Sequence, residues 1–121
     1  MRLFALRGAV TVEHNDAEEI LAATRTLMGE IMQRNSLDPA SVVSCIFTVT
    51  PDLDAEFPAV AARGIGFERV PLLCAQEIPV PASMPRVIRV LIHYHAEEGH
   101  VPAHVYLGEA RRLRADLDAA Q

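Results

Sequence analysis

Two apolar, strand-like runs, each broken by one arginine, set the tightest limits on what this chain can fold into. The first is Leu3-Phe4-Ala5-Leu6-Arg7-Gly8-Ala9-Val10 and the second is Val87-Ile88-Arg89-Val90-Leu91-Ile92. A lone guanidinium buried inside such a run is prohibitively costly, so each arginine must reach solvent or meet a partner charge. Two of them in this setting point to a binding site for an anion.

The pattern around these runs predicts a mixed α/β (α+β) fold. Residues 2 to 13 read as a strand, with Gly8 expected to admit a bulge or a close backbone approach that turns Arg7 toward a cavity. Asn15 is expected to cap a helix starting at Asp16, with Glu18 as the reciprocal capping-box partner. Ile20, Ala23, Leu27 and Ile31 then form an apolar stripe of helical period lasting to about Arg34, and Asn35 is expected to end the helix in the left-handed region. Asp38-Pro39 opens a brief helical turn. Residues 42 to 49 read as a second strand, so a packed crossover joins the first two strands.

A shorter helix between Pro58 and Arg63, interrupted by Gly64 and Gly66, precedes a short strand at Val70 to Leu73. Pro79, Pro81 and Pro85 stiffen the loop into a strand at Arg86 to Tyr94, and residues 103 to 107 make another. Residues 111 to 121 fit either a helical turn or a mobile tail. The expected object is one domain over residues 1–121, a mixed sheet of about five strands with a long packed helix on one face. Its other face and its edges need cover, which oligomerisation would supply.

Composition narrows the partners. The formal net charge of -5 argues against a nucleic-acid surface. All 11 basic residues are arginine, which removes Schiff-base and ammonium chemistry and leaves planar, permanently charged forks suited to carboxylates. Cys45, in an apolar run, reads as a buried thiol, while Cys74 precedes a polar pair and is better placed for a ligand contact. Neither belongs to a zinc or disulfide pattern. With no signal sequence and no membrane-length apolar run, a cytoplasmic location is expected. His93 and His95 share a strand face, yet they and His100 and His104 lack clear ligand spacing, so no metal is expected.

Seven segments, in order, carry a resemblance. They are Arg7-Gly8-Ala9-Val10-Thr11-Val12-Glu13, Thr48-Val49-Thr50-Pro51-Asp52-Leu53, Phe57-Pro58-Ala59 with Ala61-Ala62-Arg63, Val70-Pro71-Leu72, Cys74-Ala75-Gln76-Glu77, Arg86-Val87-Ile88-Arg89-Val90 and His104-Val105-Tyr106-Leu107. Together they resemble the monofunctional chorismate mutases of the bacterial AroH class. The resemblance implies a pseudo-α/β-barrel homotrimer with active sites between subunits. It also implies the Claisen rearrangement of chorismate to prephenate in aromatic amino-acid biosynthesis, with no cofactor, metal, nucleic acid or membrane involved.

The same resemblance implies roles. Arg7 would bind a substrate carboxylate, and Arg89 would direct its fork to the ether oxygen and a nearby carboxylate. Glu77 would accept a hydrogen bond from the ring hydroxyl, with Cys74 beside it, and Leu73 would offer its backbone. Tyr106 would reach a carboxylate. Phe57 and Arg63 would come from the neighbouring subunit, and Arg114 from the tail. Departures from the family pattern are Val60 where some members carry a long polar side chain, a 63–70 loop one residue shorter, and Ala115 in place of a proline. Competing readings are a trimeric enamine or imine deaminase and a non-catalytic binder of an aromatic or dicarboxylate metabolite.

Overall fold

The computed structural model describes residues 1–113. Its strands are β1 (Arg2–Thr11), β2 (Val42–Val49), β3 (Leu72–Gln76), β4 (Val87–Ala96) and β5 (Val105–Leu107), with helices α1 (Ala17–Asn35) and α2 (Pro58–Ala62). The described strands form one sheet in the order β3-β2-β4-β1-β5. β4 runs antiparallel to both β1 and β2, so these two are parallel to each other and the α1 crossover spans the strand inserted between them.

Strand alternation divides the sheet. Leu6, Val10, Cys45, Phe47, Ile88, Val90, Ile92, Tyr94 and Val105 face α1, whose Ile20, Leu27, Met28 and Ile31 complete the main core. Burying each such side chain contributes roughly 1.5–3 kcal/mol, which makes this face the main source of stability. On the opposite face only a small cluster is buried, in which Ala9, Val87 and Ala110 pack with Met84, Tyr106 and Leu113. That face therefore stays largely open and holds the functional side chains.

The expected pseudo-α/β-barrel is overturned: the sheet is open, with β3 and β5 as its edges. Closure requires strands long enough to tilt and stagger into a continuous ladder, and β5 pairs with β1 over only Gly8, Ala9 and Val10. None of the described helices is long and apolar enough to cross a membrane.

Several local expectations shift. Asp16, not Asn15, caps α1 by accepting from the Glu19 N–H. Glu19, not Glu18, stands three residues after that cap, and its carboxylate accepts from the backbone N–H groups of Glu13 and His14, while the Asp16 N–H donates to the His14 carbonyl, so no reciprocal capping box forms. Ser36, not Asn35, takes the left-handed position at φ 48°. Gly8 sits in regular register with no bulge, and the irregularity falls instead between Val42 and Ser44. What approaches Gly8 closely is α1, through Ile31 and Leu27. β3 begins two residues later than expected because its pairing with β2 runs from Leu72 to Gln76.

Candidate active site

Register places the key side chains in one line across the open face. Tyr106 on β5 pairs with Ala9 on β1, Ala9 with Arg89 on β4, Arg89 with Thr48 on β2, and Thr48 with Ala75 on β3. Arg7, two residues before Ala9, lies diagonally from Arg89, and such neighbours are about 7–8 Å apart. Ala9, small and buried, leaves room between them. The result is a cleft of about 300 Å³ lined by Arg7, Ala9, Ile46, Thr48, Arg89 and Tyr106.

Glu77 reaches this line from the end of β3. Its N–H donates to the Val49 carbonyl at 2.9 Å, extending the ladder by one residue. One carboxylate oxygen pairs with the Arg89 guanidinium, and the other accepts from Thr48 Oγ1 at 2.7 Å. The two arginines and one glutamate leave a surplus positive charge, with Arg89 held in orientation by a charge-assisted bond. A guanidinium has five donors, so the Glu77 pair leaves Arg89 capacity for a ligand.

Arg7 is supported from the β5 side. Its backbone N–H donates to His104 Nδ1 at 3.0 Å, one position beyond the last residue pair of the β1–β5 ladder. Partial burial and the adjacent Arg7 guanidinium hold the His104 pKa below the usual imidazole range. The neutral ring is also the form that can accept this bond.

The remaining expected residues are not brought to this cleft. Cys74 pairs with Phe47 in register and so faces the α1 side, whereas Glu77 faces the open side. Cys74 and Phe57 line a separate depression with Val49, Leu53, Pro58 and Gln76. Phe57 is 65% exposed at the start of α2, and Arg63 is exposed at its end. Leu73 is 60% exposed on the edge strand. Arg114 and Ala115 lie outside the described residues, although Leu113 lines the cleft.

Thr48, Ile46 and His104 were not foreseen as site residues. The readable signal for Thr48 was a hydroxyl at an alternating position of a strand that is apolar apart from it and Ser44. The histidines are dispersed: His93 meets Ser44, His100 meets the Tyr94 hydroxyl at 2.6 Å, and His104 meets Arg7. Among the described residues, no three His, Cys, Asp or Glu side chains gather as a metal site.

The Arg89 guanidinium held by Glu77, with the Arg7 guanidinium and the Tyr106 phenol beside it on the open face of an α/β sheet, makes a cleft whose donors suit a small carboxylate. The family model for chorismate mutase type I matches residues 3–117. The chain is 50% identical over 118 residues to the chorismate mutase AroH of Thermus thermophilus, covering 96% of this chain and 97% of the relative. It is 39% identical over 122 residues to chorismate mutase AroH of Bacillus subtilis (strain 168), covering 97% and 94%. A solved structure of the chorismate mutase from Clostridium thermocellum superposes with a TM-score of 0.86 at 44% identity, over 90% of this chain and 98% of that one. This chain belongs to the type I chorismate mutase family, a family of isomerases.

Proposed function

We propose that the Arg7–Arg89 cleft binds chorismate and promotes its rearrangement by electrostatic stabilisation of the transition state. The chain is a chorismate mutase, and the reaction it catalyses converts chorismate to prephenate. The observation that supports this site is the single register line carrying Tyr106, Arg89 and Thr48, with Arg7 and Glu77 each two residues off it. A unimolecular rearrangement transfers no proton and needs no nucleophile, so a site of fixed donors suffices.

In this reading Arg7 and Tyr106 hold substrate carboxylates. The carbon–oxygen bond of the enol ether breaks while a carbon–carbon bond forms within the same molecule, and negative charge grows on the ether oxygen. Arg89, aimed by Glu77, gains interaction there that it lacks in the ground state, which is the kind of difference that raises kcat. The Glu77 carboxylate has about four lone-pair sites. Thr48 and Arg89 engage one on each oxygen, which leaves capacity for the ring hydroxyl.

Phe57 and Arg63 lie outside the Arg7–Arg89 cleft, and that separation supports an assembly in which an adjacent copy supplies them, while Leu73 and Cys74 act beside Glu77 from the same β3. We assign this assembly as a homotrimer with a site at each junction between copies. The two free thiols, Cys45 and Cys74, suit the reducing cytoplasm.

The test is ultraviolet loss of chorismate with identification of prephenate, for the wild-type protein and for Arg89→Lys. Lysine keeps the charge and loses the fork. A folded variant is expected to lose about 10²–10³-fold in kcat, the range for deleting one preorganised donor. A variant with near wild-type kcat, or a wild-type protein that binds chorismate without turnover, would sink this reading.

A further inference from the structure

We propose that His104 is a positioning residue for Arg7, holding the β1 backbone at the point from which the substrate-binding guanidinium projects. The proposal rests on the reading of Arg7 as a carboxylate ligand.

The β1–β5 pairing is short. It covers Gly8, Ala9 and Val10 and then stops, leaving the Arg7 N–H at the end of the ladder. A strand end of this kind frays unless its donor finds a partner. His104 Nδ1 is that partner, at 3.0 Å, and it substitutes for the carbonyl that a longer β5 would have supplied.

His104 is itself held from the helix side. The adjoining Ala103 is clamped through both backbone groups by Asn35: its N–H donates to Asn35 Oδ1 at 2.8 Å, and its carbonyl accepts from Nδ2 at 3.0 Å. Asn35 is buried and also donates to the Ile31 carbonyl at 2.9 Å. A continuous path therefore runs from the C-terminal turn of α1 through Ala103 and His104 to Arg7.

The ring can do this only while Nδ1 is unprotonated. On β1 the charged group bearing on His104 is the Arg7 guanidinium. From α1 this edge receives Leu27, Ile31 and the neutral Asn35. The neighbour on β5 is Val105, which is apolar. The His104 ring is partly desolvated but keeps enough solvent contact to take up a proton. Protonation would remove the acceptor and set a second cation beside Arg7, so substrate affinity should fall as pH falls through the His104 titration, below the ordinary imidazole value.

The experiment compares the wild-type protein with His104→Asn, His104→Ala and Arg7→Ala. Asn places a non-titrating acceptor near the position of Nδ1. The alanine variant at His104 is expected to raise KM about two- to tenfold, the range set by one net hydrogen bond, with kcat changed less. Wild-type KM should rise on acidification, while His104→Asn should keep a near wild-type KM and lose that acid dependence. In parallel, the Arg7 amide proton resonance should titrate with the His104 ring in the wild-type protein and stay fixed in His104→Asn.

An Arg7 amide resonance that ignores the titration of the ring overturns the proposal, even if the alanine variant fails to fold. So does an acid dependence that persists in His104→Asn. Should Arg7→Ala bind substrate normally, the carboxylate role of Arg7 falls instead, and the amide titration still judges the His104 contact.

Discussion

Replacing Gly8 by alanine tests how closely α1 must lie on the strand that carries Arg7. Gly8 lies in the regular extended backbone of β1, a conformation that alanine adopts freely. With nothing in the way, the change should stabilise by about 0.4–1 kcal/mol by restricting the unfolded chain. The added Cβ, however, would lie 2.7 Å from Ile31 Cδ1, 3.2 Å from Leu27 Cδ1 and 3.3 Å from the Val105 carbonyl oxygen. Both side chains are fully buried, so neither has free space into which to retreat. Overpacking of this kind costs about 1–3 kcal/mol, so a net loss of about 1–2 kcal/mol is expected.

The sharper measurement is a double-mutant cycle with Ile31→Val, which deletes the atom that clashes. Alone, Ile31→Val should cost about 0.5–1.5 kcal/mol through the cavity it leaves. In the Gly8→Ala background it should cost much less or stabilise, giving a favourable coupling of about 1 kcal/mol or more. Urea unfolding at one fixed protein concentration reads all four forms, since assembly would make stability concentration-dependent. A Gly8→Ala protein as stable as wild type, or losses that simply add, would refute the steric argument.

Two further outcomes follow from burial and hydrogen bonding. Asn35→Ala removes the clamp on Ala103 and should destabilise by about 1–3 kcal/mol in urea unfolding, because it leaves backbone groups without partners; an unchanged midpoint would count against the clamp. A thiol reagent should label Cys74 first, because burial pushes the Cys45 thiol up to about 12. Mass spectrometry of the native protein should show Cys45 unmodified until denaturant is added, and equal labelling would contradict the packing of β2.

Much of this fold was readable because the same residues satisfy local and global demands. β2 stood out as an apolar run and falls at Val42–Val49 as expected, and Asp38-Pro39 opens its short turn by accepting from the Ala40 N–H. Arg7 and Arg89 were visible because alternation gave them no place in a core. The errors came where two adjacent polar residues compete for one role. Asn15 and Asp16 both suit a cap, and Asp16 takes it, while Asn15 bridges to Asp54 and receives the Asp54 and Ala55 N–H groups. Asn35 and Ser36 divide in the same way, because the side chain of Asn35 is engaged with Ala103.

The candidate site was only partly visible for a different reason. Periodicity assigns faces within a strand but does not say which strands become neighbours, so the line joining Tyr106, Arg89 and Thr48 is a product of strand order. The faces of Cys74 and Glu77 depended on β3 pairing with β2 in one register, which no local pattern dictates. The barrel came from likeness to a family, and the open sheet shows that likeness is no substitute for the topology of the chain itself.

The alternation of β4 couples folding fidelity to catalysis. Ile88, Val90 and Ile92 lie toward α1 while Arg89 lies toward the cleft. A slip of one residue would expose the three apolar side chains and thrust a cation into the core at the same time. A misthreaded strand is thus rejected on hydrophobic grounds before it can display a defective catalyst, and core packing acts as a proofreader for the aim of Arg89.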